Sequence, residues 1–214
     1  MQKLARCVSG LHAARLLISH GLAQEQASIQ RILDELQEDI KFLSYGVILS
    51  DVTELHERYL DDFYQEEFDA NTSLASTQKR DTIPRKKIHA YLSKMGGENL
   101  DPSTHQEVSR TISKAYSGFI HAASPHIMDM YGGNPAKFHM NGMLGTEIHQ
   151  HHEEDIWNYF YRGIMAFAFA AKLLGMKNFL QKYMNFKRTL LLNQVVIILQ
   201  LVVRNNARHC TAWF

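Results

Sequence analysis

Three groups of residues in this 214-residue chain have the types and spacing for chemistry. In the first, Arg110, Ser113, Ser117 and His121 follow at i, i+3, i+7 and i+11, which places them on one face of a helix. Tyr116, Ser124 and His126 adjoin that face near a proline break at Pro125. An imidazole titrates close to neutrality, and beside a group that binds phosphate it is the minimum equipment for metal-independent RNA cleavage or nucleotidyl chemistry. A nucleophilic-serine hydrolase is not supported. Ser117 and His121 lack a third orienting group, and no Gly-x-Ser-x-Gly elbow or parallel-sheet pattern accompanies them. The bland alternative is a polar helix face carrying a hydrogen-bonded histidine.

The second group is the run from Glu147 to Asp155, with His149, His151, His152, Glu153 and Glu154 between. On a helix Glu147 with His151, His149 with Glu153, and His151 with Asp155 are i,i+4 pairs, and carboxylate with imidazole suits Zn, Fe or Mn. A di-iron carboxylate bundle requires Glu-x-x-His, and three residues after Glu147 stands Gln150. The run therefore reads more readily as a solvated first helical turn whose acids complement the helix dipole, with no metal or other cofactor expected.

The third group is Arg204-Asn205-Asn206-Ala207-Arg208-His209. Here the chain resembles the HEPN group of small helical bundles, whose motif is an arginine, often followed by a polar residue such as Asn, and a histidine four to six residues on. The wider layout adds to the likeness: an N-terminal antiparallel helix pair, the Tyr116-Ser117…His121 stretch and a closing helix pair. The resemblance implies a ribonuclease that needs no metal, usually a homodimer joining two motifs over RNA, and often a toxin or antiviral effector. It would make Arg204 the phosphate-binding residue, Asn205 its support and His209 the group acting on the 2′-hydroxyl or the leaving oxygen. In such proteins the Ser117–His121 region is the other placement of the site. The competing class is a non-catalytic helical interaction module, such as a toxin–antitoxin or defence-complex partner.

A shorter basic run, Arg80, Arg85, Lys86, Lys87 and His89 with Tyr91 after it, could touch a nucleic-acid backbone, but surface charge at a helix start explains it more simply. The net charge of +1 hides a division. Residues 1–155 carry 22 acidic and 15 basic residues, net −7, whereas 156–214 carry 8 basic and no acidic ones. The basic end suits an anionic partner such as RNA, or packing against the acidic body.

The elements that must position these groups are helical. Leu4, Val8, Leu11 and Ile18 recur at helical period before Gly21. Ile29, Leu33, Leu36, Ile40, Leu43 and Val47 alternate steps of four and three, the pattern of a bundle seam, with Arg31, Asp34, Glu35 and Glu38 opposite as a solvated face. A third helix is predicted over 51–68, and a polar loop over 70–82. Pro84 starts a fourth helix that ends at Gly96-Gly97, and Asp101-Pro102-Ser103 opens a fifth with Ser103 and Gln106 at capping-box spacing. An irregular glycine-rich loop follows over 131–145. Thr146 caps a long helix with Ile148, Ile156, Phe160, Ile164, Phe167, Ala171 and Leu174 inside. Residues 179–203 close the chain as an apolar helix or a contact between copies.

These readings give an all-α single domain, 1–214, of six to eight helices, with 176–214 as its basic, apolar closing segment. No apolar run is long enough to span a bilayer. The start MQKLARCVSG has no apolar h-region, and Cys7 and Cys210 suit unpaired thiols, which together point to the cytoplasm.

Overall fold

The computed structural model describes residues 1–65, 70–77, 82–95 and 102–175. It is mostly helical, as the periodicity predicts. The elements are α1 (Gln2–Ser19), α2 (Ala23–Ile48), α3 (Glu54–Tyr64), α4 (Arg85–Met95), α5 (Pro102–Ile120), α6 (Ser124–Met128) and α7 (Glu147–Leu173). Between α6 and α7 lies a two-residue antiparallel ladder, β1 (Tyr131–Gly132) with β2 (Lys137–Phe138). Among the described residues no helix is long and apolar enough to cross a membrane. The closing segment 176–214 lies outside the described residues, as do Gly96-Gly97 and Arg80.

Helix α2 is the axis of the bundle, in contact with α1, α4, α5 and α7. One core forms where Leu4, Val8, Leu11 and Ile18 of α1 meet Leu33 and Ile40 of α2 and Ile156, Phe160 and Phe167 of α7. The α1–α7 approach is close because Gly163 has no side chain; a Cβ there would stand 2.7 Å from Leu11 Cδ1. Cys7 is a free, fully buried thiol whose pKa burial pushes up to about 12, which makes it unreactive. A second core holds Phe42 of α2, Tyr59 of α3, and Ile88, Tyr91 and Leu92 of α4.

Local chemistry sets the helix ends. Thr53 and His56 form a capping box at the start of α3: the Thr53 N–H donates to His56 Nδ1 at 3.1 Å. With Nδ1 accepting, Nε2–H faces the Phe42 carbonyl at 3.3 Å, and the imidazole stacks on the Phe42 ring at 4.0 Å. Thr146 Oγ1 accepts from the His149 N–H at 3.2 Å and opens α7 as predicted. The expected break at Ser124-Pro125 appears as a turn after Ile120 and the short helix α6, with proline in its first turn. The loop over 131–145 contains the small ladder and docks on the α1–α2 turn, where Met143 N–H donates to the Gly21 carbonyl at 2.8 Å. Gly21 has φ +73°, and a Cβ there would meet the Leu144 and Met143 nitrogens at 2.6 Å, so glycine is required on both counts.

One expectation is overturned. The face of α2 opposite its apolar seam is largely enclosed: Asp34 is only 4% exposed, Arg31 and Glu38 are half-buried, and Glu35 is the most exposed of the four, while Gln26, Gln30, Gln37 and Asp39 are buried on the flanks of the seam. At the far end of the predicted seam Val47 is 55% exposed instead. A helix surrounded by four others buries more than one stripe, and apolar periodicity marks only the stripe that meets apolar neighbours. The Arg31–Glu35 pair forms at 2.6 Å, one turn apart, as its spacing predicts.

Candidate functional site

The α5 stripe is distributed rather than gathered. Arg110 lies in an exposed ion pair with Glu107 at 2.6 Å, their side chains 67% and 60% exposed. Ser113 reaches the wall of a cleft described below, Ser117 is half-buried, and His121 is exposed beyond the helix end. No side-chain hydrogen bond joins Arg110, Ser117 and His121 among the described residues; His121 meets Ser117 through its backbone N–H, 3.1 Å from the Ser117 carbonyl. Arg204, Asn205 and His209 lie outside the described residues.

A charged cleft of about 540 Å³ lies between α2, α4, α5 and α7. Its floor comes from residues that sequence reasoning assigned to surfaces. Asp34 and Glu38 are one turn apart on α2; Arg85 and His89 are one turn apart on α4. Arg85 binds both Glu38 and Asp39, and Lys3 of α1 adds a second cation to Asp39 at 2.8 Å. His89 Nε2 meets Glu38 Oε2 at 2.9 Å. A carboxylate can only accept, so Nε2 carries a hydrogen, and in the neutral ring Nδ1 is the proton-accepting nitrogen. Arg162 of α7 pairs with Asp34, which also accepts from the Tyr159 hydroxyl at 3.3 Å.

Burial alone would raise the Glu38 carboxyl. The His89 hydrogen bond and the Arg85 charge outweigh it and hold Glu38 below the ordinary carboxylate range. At Asp34 burial wins, and its pKa is raised despite Arg162. Lys41, with its ammonium 5.3 Å from the centre of the Tyr45 ring, forms no ion pair among the described residues. Burial and the nearby Arg162 lower its pKa. The lining holds the cations Arg31, Lys41, Arg85 and Arg162 and the carboxylates Asp34 and Glu38; Arg31, Arg85 and Arg162 are ion-paired, and Lys41 is not, among the described residues. Tyr45, Tyr161 and Phe169 supply aromatic wall. Such a cleft can hold an anion beside a planar apolar group.

The reading of Arg85 and His89 as simple surface charge is thereby corrected, since His89 is 8% exposed and both are drawn inward by Glu38. The available signal was charge complementarity at equal spacing, Asp34/Glu38 against Arg85/His89, which becomes informative once α2 and α4 are known to be neighbours.

A second concavity of about 350 Å³ joins two groups the sequence keeps apart: Tyr116 and His126 from α5 and α6, and His151, His152 and Asp155 from α7. The Tyr116 hydroxyl donates to Asp155, which also receives Asn158 Nδ2 at 3.2 Å and Gln30 Nε2 at 3.4 Å. His152 Nδ1 meets Gln26 Oε1 at 3.0 Å, so Nδ1 is the protonated nitrogen. Burial lowers the His152 pKa even though Asp155 and Asp129 act to raise it. His149 turns away into the bundle and meets the Ile18 carbonyl at 2.9 Å. Among the described residues no group of three or more His, Cys, Asp or Glu side chains is arranged to hold a metal ion.

Set against family models, curated proteins and solved structures, the chain matches none of them. The class defined is therefore that of the fold itself, an all-α helical bundle with a charged interhelical cleft.

Proposed function

We propose that this chain is an HEPN-like, RNA-directed protein that receives a phosphodiester in the charged cleft and cleaves it without a metal. The observation that carries the reading is the pairing of Arg85 with His89, one turn apart on α4 and locked by Glu38, in a cleft that also presents Lys41 and Arg162. The cleft thus combines an imidazole fixed by Glu38 with Lys41, a cation that has no carboxylate partner among the described residues, as attack at phosphorus requires. Arg85, a polar Lys86 and His89 also repeat the Arg, polar residue and His order that Arg204, Asn205 and His209 carry near the chain's end.

In this mechanism His89 Nδ1 takes the proton of a ribose 2′-hydroxyl, the 2′-oxygen attacks phosphorus, and a 2′,3′-cyclic phosphate forms as the 5′-oxygen leaves. Arg162 and Arg31, each already paired with a carboxylate, turn their remaining N–H groups to the non-bridging oxygens, and the Lys41 ammonium gives its proton to the leaving oxygen. Tyr45 and Phe169, edge to face at 5.1 Å, offer a surface for a base. The resemblance assigns the phosphate and proton roles to Arg204 and His209 in a homodimer, and Arg110, Ser117 and His121 are the remaining alternative. A toxin or defence role follows from the same resemblance.

The test is cleavage of single-stranded RNA in EDTA by the wild type and by His89→Ala, His121→Ala and His209→Ala. The expected result is metal-independent cleavage that falls at least 100-fold in His89→Ala. Absence of cleavage, or cleavage untouched by all three substitutions, overturns the enzyme; salt-sensitive RNA binding without cleavage would make the chain a non-catalytic RNA-binding module. Light scattering after size exclusion is expected to report a dimer, and a strict monomer would count against a site composed of two motifs.

A further inference from the structure

The concavity between α5, α6 and α7 has a composition opposite to that of the cleft. Its walls are rings: Phe119 lies edge to face with His126, centroids 4.4 Å apart, and with His152 at 5.7 Å, while Tyr116 stands 6.0 Å from Phe119. Among the described residues its single permanent charge is the Asp155 carboxylate, and no lysine or arginine lines it. The donors to Asp155 are a phenol and two carboxamides, which orient the carboxylate without neutralising it. Glu38 and Asp34, at the floor of the charged cleft, each have an arginine partner by contrast.

His152 joins the aromatic wall as a neutral ring. Its Nδ1–H is spent on Gln26, its Nε2 keeps a lone pair, and its burial disfavours protonation. His126 Nδ1 is buried and has no hydrogen-bond partner among the described residues. The His126 ring reaches this position because residue 118 is glycine; a Cβ at Gly118 would overlap His126 Cε1. Aromatic faces carry negative quadrupole potential, and rings grouped round a carboxylate attract a large, weakly hydrated cation that does not demand hydrogen bonds.

We infer that this concavity is a binding site for a small organic cation bearing a methylated ammonium group, held by Tyr116, Phe119, His126 and His152 and balanced by Asp155. A metal ion is a poor occupant, since the described side chains offer no ligand set for one. A strongly hydrated ammonium would lose its water to rings that cannot replace the hydrogen bonds. The methylated ion loses little, and the 350 Å³ volume accommodates it together with a short polar tail. This site stands apart from the RNA reading, and neither depends on the other.

The experiment is calorimetric and NMR titration of the full-length protein at pH 7.5 with choline, and in parallel with its uncharged isostere 3,3-dimethylbutan-1-ol. Saturable choline binding is expected, with shifts of the His126 and His152 ring protons and at least tenfold weaker binding of the isostere. Asp155→Asn should weaken choline at least tenfold, and Phe119→Leu should do so less steeply. Equal binding of choline and its isostere, or no saturation by choline at millimolar concentration, overturns the proposal. Because both ligands are compared on the wild type, the proposal can be overturned even if a variant fails to fold.

Discussion

The charged cleft and the aromatic pocket are both built against α7, and they handle inward-facing carboxylates in opposite ways. In the cleft Glu38 and Asp39 share Arg85, and Asp34 is paired with Arg162. In the pocket Asp155 is surrounded by neutral donors. The difference follows from which helices meet. Helix α4 brings cations to α2, while α5 and α6 bring phenol, phenyl and imidazole to α7. Desolvating a carboxylate is costly, and an arginine offsets that cost at once, whereas neutral donors leave the negative charge available to a ligand. A net charge of +1 thus says nothing about the fields inside two neighbouring concavities.

The contrast breaks most sharply at Arg85. Arg85→Met leaves Glu38 and Asp39 without their shared guanidinium, and a loss of about 3 kcal/mol is expected in urea unfolding. If the variant loses little, the cleft's pairing is ornamental and the contrast with the pocket fails. The pocket's counterpart is Gly118→Ala, whose methyl would collide with the His126 ring and force α6 outward. A cost of about 1–3 kcal/mol is expected from the displaced packing, together with loss of the Phe119–His126 ring contact in NMR spectra.

A finer separation is by pH. Glu38 has a folded pKa below its ordinary value of 4.5, so its contribution is complete above pH 4.5 and is lost as pH falls through the folded value. The stability gap between wild type and Glu38→Gln should therefore be constant near neutrality and shrink below pH 4.5. His152 has a folded pKa below 6.5, so the unfolded chain binds the extra proton first, and its contribution begins to fall as pH drops through 6.5. His152→Gln should accordingly differ from wild type less at pH 5 than at pH 7.5. Denaturant titrations across this range sharpen the contrast if the two windows separate, and remove it if both variants titrate together.

Much of the fold was legible in the sequence. Leu4, Val8, Leu11 and Ile18 announced α1, Thr146 announced the start of α7, and Ser124-Pro125 announced the break after α5, because each of these signals acts within a few residues. The cleft was not legible. Asp34 and Glu38 look like any polar helix face until it is known that Arg162 and Arg85 lie against them, 128 and 47 residues away along the chain. The pocket was half legible: Tyr116, His126 and the His151–Asp155 run each stood out for composition, and nothing in their spacing said that they share a wall.

The sequence by itself determined that the chain is helical, where most of its described helices start and stop, and which residue types were available for chemistry. Periodicity and capping are local, and their energies are expressed within one or two turns. Only the tertiary structure decided that α2 is enclosed on several sides, that His89 is fixed by Glu38, and that Phe119 sits between two imidazoles. Those outcomes depend on desolvation and on which distant side chain meets each buried group, and both are set by the helices coming together.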